Sequence, residues 1–324
     1  MKLLVTGGAG YIGSHVCKIL KAKGYSPIIL DNLSTGLKEF VKWGEFVQGD
    51  IGDTKLVKNI FLKHDIKAVL HFAASKSVPE SNTNPYKYYK NNVALSNEFL
   101  KTIVDCEVKN FIFSSSASIF ATTKNGKVEE NSKKEPANPY GMSKLMMENI
   151  LDSYDKAYSL KSTCLRYFNV SGADPECEIG DIINNSPNLL NNIFKAILNK
   201  ETFTIFGNDY NTPDGTCIRD YIHVWDLAKA HVLALEKQLE KNNSVKINLG
   251  NNNGFSVKEI VTAVKKITGI DFPVMIGPKR ENDVETMIAD YTFARKYLEW
   301  NPQYTDIHTQ IKHAWNWCKK TNNL

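Results

Sequence analysis

A glycine-rich turn between a short apolar strand and a helical pattern is the feature that most constrains the fold of this chain. Lys2–Thr6 predicts a buried strand, and Thr6-Gly-Gly-Ala-Gly-Tyr-Ile-Gly13 follows it and opens a helix. Gly7 permits a tight turn, Gly10 lets the backbone approach a pyrophosphate, and Gly13 allows close packing of helix on strand. The phosphates then lie at the helix N-terminus, where N–H groups favour negative charge. The segment therefore predicts a dinucleotide-binding unit.

An acidic residue at the end of the second predicted strand indicates which dinucleotide binds. Asp31 lies about 18 residues beyond Gly13, close to the distance expected for a carboxylate that binds the adenosine ribose. It would repel a 2′-phosphate, and the following segment 32–36 has no arginine to receive one. NAD is therefore favoured over NADP. Asp50 and Ile51, after the third strand, either border the adenine or belong to an ordinary surface loop.

The order of elements along the chain predicts the fold class. Short β-rich runs alternate with helical patterns in the first half, as a parallel sheet with crossover helices requires. The predicted strands are Lys2–Thr6, Ser26–Asp31, Glu45–Gln48, Ala68–Ala73, Asn110–Ser116, Ser162–Phe168, Thr202–Phe206 and Val245–Gly250. The predicted helices are Tyr11–Lys23, Thr54–His64, Tyr86–Cys106, Tyr140–Tyr158, Leu189–Asn199, Asp226–Gln238, one from the capping box at Ser256 to Gly269, and one from about Asp306 to Lys320.

These elements predict an α/β protein with a doubly wound parallel (Rossmann) sheet and a second, smaller, intertwined α/β lobe that binds substrate. Residues 1–168 and about 224–251 are assigned to the NAD-binding domain. Residues 169–223 and 252–324 are assigned to the substrate lobe, because the pattern loosens into Asn-, Gly- and Asp-rich loops after residue 168.

Composition narrows the class of protein further. The chain has 324 residues, of which 42% are hydrophobic and 23% charged, an ordinary globular balance. Its net charge of +5 is spread without a dense basic run, so nucleic acid is not indicated. The six cysteines are scattered and lack metal-binding spacing, which predicts free thiols and no metal site. The opening apolar run is too short for a signal peptide or a membrane span, so we expect a cytoplasmic protein without membrane contact.

A tyrosine and a lysine one helical turn apart predict the chemistry. Tyr140 and Lys144 project from one face of the helix that follows the fifth strand. A phenol with an ordinary pKa near ~10 needs a nearby cation before its phenolate can abstract a proton at neutral pH. Such pairs are common on amphipathic helices, where a half-buried ring beside a solvated amine is the ordinary reading. Together with the dinucleotide loop, however, the pair indicates a base for hydride-transfer chemistry.

Several motifs together resemble one known family. They are the glycine loop, Leu30-Asp-Asn-Leu33, His71-Phe-Ala-Ala74, Phe113-Ser-Ser-Ser116, Tyr140-x-x-x-Lys144, Arg166-Tyr-Phe-Asn169 and Arg219-Asp-Tyr-Ile-His223. The chain resembles the extended short-chain dehydrogenase/reductase family and, within it, the UDP-hexose 4-epimerases. The match covers nearly the whole chain.

The resemblance implies a reversible 4-epimerisation of UDP-glucose and UDP-galactose through a transient 4-keto sugar, with tightly bound NAD and a homodimeric enzyme. Ser116, Tyr140 and Lys144 are implied to form the catalytic set. Tyr140 would take the proton of the sugar 4-hydroxyl, Ser116 would hydrogen-bond that oxygen, and Lys144 would hold the nicotinamide ribose and keep Tyr140 acidic.

Matching positions extend both binding sites. Besides Gly7, Gly10, Gly13, Asp31, Tyr140 and Lys144, the cofactor residues are implied to be Tyr11, Ile12, Asn32, Asp50, Ile51, Phe72, Ala73, Ala74, Lys76, Asn91, Ser114 and Phe168. Phe72 and Phe168 fit a plain core role equally well. Besides Ser116 and Tyr140, the UDP-sugar residues are implied to be Asn169, Asn188, Leu189, Thr204, Phe206, Arg219, Tyr221, Arg280, Asp283 and Met287. The arginines suit a diphosphate, with an ordinary surface role as the alternative.

Some positions depart from the family pattern and bear on substrate choice. Phe120 lacks the phenol that commonly lies near the sugar, Ala121 replaces a glycine, and Glu285 replaces a frequent proline. Met287 lies at a position that varies within the family. Members with a bulky tyrosine there resemble enzymes restricted to UDP-glucose, whereas members with a small or flexible residue resemble enzymes that accept 2-acetamido sugars. Because methionine is unbranched and adaptable, a UDP-N-acetylglucosamine 4-epimerase or a dual-specificity enzyme is the alternative.

Two further functions compete with epimerisation. A nucleotide-sugar 4,6-dehydratase would require an Asp-Glu pair after the catalytic hydroxyl, where this chain has Ala117-Ser118. A non-catalytic NAD sensor shares the fold, but such proteins commonly lose the tyrosine or the lysine, and this chain keeps both.

Overall fold

The computed structural model describes residues 1–121, 126–183, 188–280 and 283–323. Its strands are β1 (Lys2–Thr6), β2 (Ser26–Asp31), β3 (Glu45–Gln48), β4 (Ile66–His71), β5 (Asn110–Ser114), β6 (Lys127–Val128), β7 (Lys161–Tyr167), β8 (Asn169–Ser171), β9 (Phe203–Phe206), β10 (Ile218–His223), β11 (Val245–Leu249), β12 (Gly254–Ser256), β13 (Val274–Gly277) and β14 (Thr286–Ala289). Its α-helices are α1 (Tyr11–Ala22), α2 (Thr54–Lys63), α3 (Val78–Thr83), α4 (Pro85–Tyr88), α5 (Ser96–Asp105), α6 (Pro139–Tyr158), α7 (Leu189–Asn199), α8 (Val224–Lys241), α9 (Val257–Thr268), α10 (Thr292–Leu298) and α11 (Ile307–Thr321).

A seven-stranded parallel sheet forms the centre of the molecule. Its strand order is β11-β7-β5-β4-β1-β2-β3, which places the carboxyl ends of β1, β4 and β5 side by side. Both faces are covered, as a parallel sheet requires. Helices α1 and α8 pack on one face, and α2, α5 and α6 pack on the other, each over its own apolar cluster. The predicted doubly wound Rossmann fold is confirmed.

A second lobe contains smaller sheets. The strands β12-β10-β14-β6 form one path to which β8 adds beside β10, and β13 pairs with β9 in a separate two-stranded sheet. Helices α7, α9 and α11 enclose a further apolar core. The chain segments alternate between lobes, since α8 packs on α1 and β11 joins β7 before α9 begins. The domain boundaries stay a prediction. No helix among the described residues is both long and apolar enough to cross a bilayer.

Most predicted boundaries are within three residues of the observed ones, but two differences bear on the site. The fifth strand ends at Ser114 rather than Ser116, because Ser115 N donates to both Phe113 O (3.0 Å) and Leu165 O (2.9 Å) and the chain then turns. Ser116 Oγ accepts from Ser118 N at 3.1 Å, which starts a short 3₁₀ turn. The predicted strand Ala68–Ala73 lies two residues too late, because Ile66 already pairs with Lys2.

The predicted single helix Tyr86–Cys106 is wrong. The chain forms α4, then a π-helical segment Tyr89–Leu95, then α5. Within the wide turn, Asn92 Oδ1 accepts from Ser75 N at 2.8 Å, and its Nδ2 donates to Ser75 O at 2.9 Å and to Ser143 Oγ at 3.1 Å. Wide turns of this kind occur mostly at functional sites. This one ties the segment to the loop after β4 and to α6.

A buried carboxylate joins the two lobes. Asp220 on β10 is fully buried and accepts from the backbone N–H groups of Asn251 (2.7 Å), Asn252 (3.0 Å) and Ala289 (3.1 Å). These groups lie after β11 of the large sheet and at the end of β14 of the second lobe. Burial raises the pKa of Asp220 to about 7, and the three N–H donors oppose that shift.

We expect Asp220→Asn to lower the free energy of unfolding by about 3 kcal/mol, because an amide nitrogen would face backbone donors in a buried place. Urea unfolding at pH 8 measures the change. The control is Asp271→Asn, since the Asp271 side chain is 89% exposed and should change stability by less than about 0.5 kcal/mol. Equal losses in the two variants would contradict the inter-lobe role of Asp220.

Candidate active site

The glycine turn has the geometry that a dinucleotide needs. Gly7 has a φ of +71°, and a Cβ there would lie 2.6 Å from Ala73 N, so the β1 and β4 loops meet without space for a side chain. A Cβ on Gly13 would collide with Gly7 O. Gly10 precedes α1, and within the described chain no side-chain cap occupies that helix N-terminus. The cradle therefore fits a pyrophosphate against the first turn of α1.

The carboxylates predicted to bind adenosine lie at the same sheet edge. Asp31 is buried at the end of β2, where it accepts from Ala9 N (3.0 Å) and Leu33 N (2.8 Å). Burial raises the pKa of Asp31, and these two hydrogen bonds counteract the rise. Asp50 accepts from Asn32 Nδ2 at 2.7 Å. Asp31, Asn32 and Asp50 thus form one polar rim beside the glycine turn, with the neighbouring Ile51 buried in the core.

The loop after β4 carries the next group of predicted cofactor residues. Phe72 packs on the His231 ring with centroids 4.9 Å apart, and Ala73 lies against Gly7, with Ala74 directly after it. Asn91 Nδ2 donates to Ser75 Oγ at 3.3 Å. Lys76 is half-exposed and reaches across to Asp181 of the second lobe at 3.9 Å.

Other predicted cofactor residues are placed mainly by packing. Tyr11 is buried, and its hydroxyl donates to Gly172 O at 2.7 Å, while the neighbouring Ile12 packs on the core between α1 and the sheet. Phe168 is buried in a small cluster with Phe120. Tyr11 and Phe168 are thus both packed in the interior. For Phe168 this is the core role that the sequence left open as an alternative to cofactor binding.

The predicted catalytic residues are brought together where α6 begins. Asn138 caps the helix by accepting from Gly141 N at 2.9 Å, and Pro139 follows at the first helical position. The Ser116 side chain lies near enough to the Tyr140 hydroxyl to lower its pKa through hydrogen bonding. A Cβ on Gly141 would collide with Ser118 O, so only glycine lets the helix approach the loop after β5 this closely.

Lys144 lies directly behind this pair. It is 3% exposed, its Nζ donates to Ser114 O at 2.8 Å, and it lies 5.8 Å from the centre of the Tyr140 ring. Burial lowers the pKa of Lys144 from its usual 10.5 to about 7. Burial also raises the pKa of Tyr140, which the hydrogen bond with Ser116 counteracts. Desolvation therefore favours the neutral forms of both the amine and the phenol, and the role of Lys144 in keeping Tyr140 acidic stays a prediction.

The predicted substrate arginines already have protein partners. Arg219 on β10 forms an ion pair with Asp283 at 2.6 Å, and its Nη1 also donates to Ile218 O at 2.8 Å. The Arg280 guanidinium is exposed and lies 4.3 Å from the centre of the Phe206 ring. Phe206 and Thr204 both belong to β9. Arg219 thus contacts an acid, Asp283, and Arg280 contacts an aromatic ring.

Strand pairing brings further predicted substrate residues to the same area. Met287 lies beside Arg219 because β14 pairs with β10, and it packs on the cluster of Phe120 and Phe168 that follows the Ser116 turn. Asn169 pairs with Tyr221, and its Nδ2 donates to Asp220 O at 3.2 Å.

Two more predicted substrate residues lie at the start of α7. Asn188 precedes the helix and Leu189 begins it. Asn188 Nδ2 donates to Asp181 Oδ2 at 2.8 Å, and Asp181 is the residue that Lys76 approaches from the cofactor side.

The structure also shows residues that the sequence reasoning missed. Glu148 is fully buried and binds Ser115 and Arg166 beneath the catalytic residues. It lies four residues after Lys144 on α6, and that helical spacing was the available signal.

Elsewhere, three carboxylates surround the Lys18 ammonium, with Nζ–O distances of 2.6–2.8 Å. They are Asp174, Glu176 and Glu178, whose oxygens are close enough to hold a cation. Lys18 supplies that positive charge.

Comparison with known proteins is consistent with this site. Residues 3–250 match the NAD dependent epimerase/dehydratase family. The UDP-glucose 4-epimerase of Lactobacillus helveticus is 45% identical over 321 residues, which cover 98% of this chain and 97% of that one. The solved UDP-glucose 4-epimerase of Brucella ovis in complex with NAD is 41% identical, with a TM-score of 0.94 over 98% of both chains. The solved UDP-Glc/GlcNAc 4-epimerase of Campylobacter jejuni is 38% identical, with a TM-score of 0.85 over 98% of this chain and 99% of that one.

The chain therefore belongs to the NAD-dependent epimerase/dehydratase family, a class of Rossmann-fold enzymes. Within that class it is similar over its full length to UDP-glucose 4-epimerases.

The buried amine predicts a specific pH dependence of stability. Because the pKa of Lys144 is about 7 in the folded protein and near 10.5 when exposed, the unfolded chain binds more protons between these values. Wild-type stability should therefore rise with pH across that window. Relative to Lys144→Met, the urea midpoint of dinucleotide-free wild type should move upward from pH 7 to pH 10 and stay level below pH 6. Lys101→Met, on the surface of α5, is the control. A difference between wild type and Lys144→Met that does not change with pH would contradict the assignment.

Proposed function

We propose that the chain catalyses the reversible 4-epimerisation of UDP-glucose and UDP-galactose with bound NAD. The observation that carries the proposal is the arrangement of Tyr140, Ser116 and Lys144 beside the Gly7–Gly13 turn. A proton-transfer residue and a dinucleotide cradle at one sheet edge are what oxidation and reduction of a sugar carbon require.

The residues present fit NAD. The glycine turn would hold the pyrophosphate, Asp31 the adenosine ribose, and Lys144 the nicotinamide ribose. When bound, NAD accepts the hydride of the sugar C4 and returns it to the opposite face. Lys144 would lower the pKa of Tyr140 together with the positive charge that an oxidised nicotinamide would supply.

Tyr140 would exchange the proton of the sugar 4-hydroxyl, as base in one half-reaction and as acid in the other. Ser116 would hydrogen-bond the same oxygen and hold it beside the phenol. The effect of the Ser116 side chain on the pKa of Tyr140 supports a shared position for the two hydroxyls. Because desolvation favours the neutral phenol, the Tyr140 phenolate would be a strong base for the proton of the 4-hydroxyl.

The nucleotide would be bound by the second lobe. Arg219 and Arg280 suit the diphosphate, since guanidinium groups bind its oxygens in pairs. Asn188 and Leu189 at the start of α7 and Asn169 on β8 would contact the remaining UDP-sugar. The sugar must present both faces to the cofactor during the reaction, so binding at the nucleotide leaves it free to rotate.

We further propose that the enzyme accepts UDP-N-acetylglucosamine as a second substrate. The flexible side chain of Met287 packs against the apolar cluster that contains the buried Phe120, next to the Ser116 turn. An unbranched thioether can move to admit an acetamido group. The similar Campylobacter jejuni protein is described as a UDP-Glc/GlcNAc 4-epimerase.

The assembly is proposed to be a cytoplasmic homodimer. Tyr86, Tyr89, Met142 and Met146 are large apolar residues that are 36% to 71% exposed on α4, the π-helical segment and α6, a surface suited to a second copy. A monomeric mass in sedimentation equilibrium would contradict the dimer.

The free cysteines of the described chain suit a reducing compartment, and recovery of the protein outside the cytosolic fraction would contradict that location.

The proposed reaction is tested with Tyr140→Phe. Wild type should interconvert UDP-glucose and UDP-galactose without added NAD, and the variant should lose about 100-fold or more in kcat while retaining bound NAD. Loss of the phenol removes the proton carrier but leaves the cradle intact. Released NAD is quantified after denaturation of each protein. A variant as active as wild type would refute the role of Tyr140, and wild type that binds NAD without turnover would indicate a sensor instead.

Substrate choice is tested with Met287→Tyr. A ring in place of the thioether should reduce turnover of UDP-N-acetylglucosamine by about 10-fold or more and change turnover of UDP-glucose by less than about 3-fold. Met287→Leu, of similar volume, is the matched control. Wild type that converts UDP-glucose but not UDP-N-acetylglucosamine would refute the second substrate.

A further inference from the structure

The last residue of β5 and the two residues that follow it each contact one face of α6. Lys144 Nζ donates to Ser114 O at 2.8 Å, and Ser115 Oγ donates to Glu148 Oε1 at 2.6 Å. The Ser116 side chain lies near enough to the Tyr140 hydroxyl to lower its pKa through hydrogen bonding. Tyr140, Lys144 and Glu148 are spaced by four residues, so they lie on the same face of the helix. The three bonds form a ladder, of which only the outer two involve the proposed catalytic residues.

Glu148 joins this ladder to a second strand. Its carboxylate binds Arg166 of β7 through two hydrogen bonds, from Nε at 2.9 Å and from Nη2 at 2.6 Å. Arg166 Nη1 also donates to Glu130 O at 2.9 Å. Both charged side chains are 1% exposed. Two-pronged pairing fixes the plane of the guanidinium as well as its distance, which a single bond or an apolar contact does not do.

From this arrangement we propose that Glu148, with Ser115 and Arg166, is a positioning group that sets the separation between Tyr140 and Ser116. Ser115 lies between Ser114, whose carbonyl oxygen accepts from Lys144, and Ser116, which neighbours the Tyr140 hydroxyl. Any movement of Ser115 along the strand direction therefore displaces both contacts. Glu148 is itself buried beneath the site and acts through Ser115 and the axis of α6.

Turnover depends on how accurately Tyr140 and Ser116 are positioned, so the residues that position them should affect kcat. Reacting groups must be held within roughly 0.5 Å of their productive places, and a misplacement of about 1 Å can cost 100-fold in rate. A buried ion pair is by contrast a weak source of stability, since well-packed apolar residues often replace one without loss. The ladder and the stability of the fold can therefore be separated experimentally. This inference rests on the proposed epimerase function.

The first test uses Ser115→Ala, which removes one bond and leaves the ion pair intact. We expect its kcat for UDP-glucose to fall about 10-fold, with KM and bound NAD unchanged. Because the bond with Ser116 counteracts the raised pKa of Tyr140, the limb of the kcat–pH profile that reports Tyr140 should move to higher pH. Asp155→Asn is the matched control. It breaks another link between α6 and β7, the ion pair of Asp155 with Lys161 at 2.6 Å, far along the helix from Tyr140.

The second test separates position from stability. Glu148→Gln keeps an acceptor for Ser115 but loses the paired contact with Arg166, and it should lower both the melting temperature and kcat. The double variant Glu148→Leu with Arg166→Met should recover the melting temperature while kcat stays about 10-fold low.

A wild-type kcat and pH profile in Ser115→Ala, or recovery of kcat in the double variant, would overturn the positioning role. Failure of wild type to turn over UDP-glucose would instead refute the proposed function, so the two failures are distinguishable.

Discussion

The close contact between the start of α6 and the turn after β5 is the constraint on which the rest of the site depends. Gly141 lets the helix backbone rest on Ser118 O, where any side chain would collide. That approach is what allows Tyr140 to reach Ser116 and Lys144 to reach Ser114 O. The parallel order of the sheet then places β1 and its glycine turn near this edge. The residue proposed to carry the proton and the turn proposed to hold the dinucleotide therefore lie at one edge of the same sheet.

This arrangement buries polar side chains, which costs hydration free energy and shifts the pKa values of Lys144 and Tyr140. Lys144 and Tyr140 lose hydration together, so burial lowers the pKa of the amine and raises that of the phenol. Both shifts favour the neutral forms. A bound oxidised nicotinamide would supply the remaining charge, which would couple proton abstraction to the presence of the cofactor. In the buried Glu148–Arg166 pair, each side chain is satisfied by directed hydrogen bonds.

The two lobes are joined by interleaved chain segments. The chain enters the second lobe at β8, returns through α8 and β11, and leaves again at α9. Asp220 holds these crossings together through three backbone donors. Because β10 carries Arg219 and pairs with β14, the groups suited to the nucleotide and the residue proposed to admit the C2 substituent are fixed in one register. The residues proposed for substrate binding and for sugar choice are thus held side by side by this strand pairing.

The Rossmann fold and the glycine turn could be predicted from the sequence. So could the position of Asp31 at the end of a strand and that of Tyr140 and Lys144 on one face of a helix. These features are local, because turn glycines, strand-end acids and residues spaced by one helical turn have fixed geometry wherever they occur. Short strands such as β8, β12 and β14 were not predicted, since three or four residues carry too little periodicity to identify.

The tertiary structure alone decided which charges are neutralised and which side chains meet. The pairing of Arg219 with Asp283, the lowered pKa of Lys144 and the convergence of Glu148, Ser115 and Arg166 all depend on desolvation and on contacts between residues far apart in the chain. No local pattern encodes them, because the cost of burying a charge depends on everything packed around it.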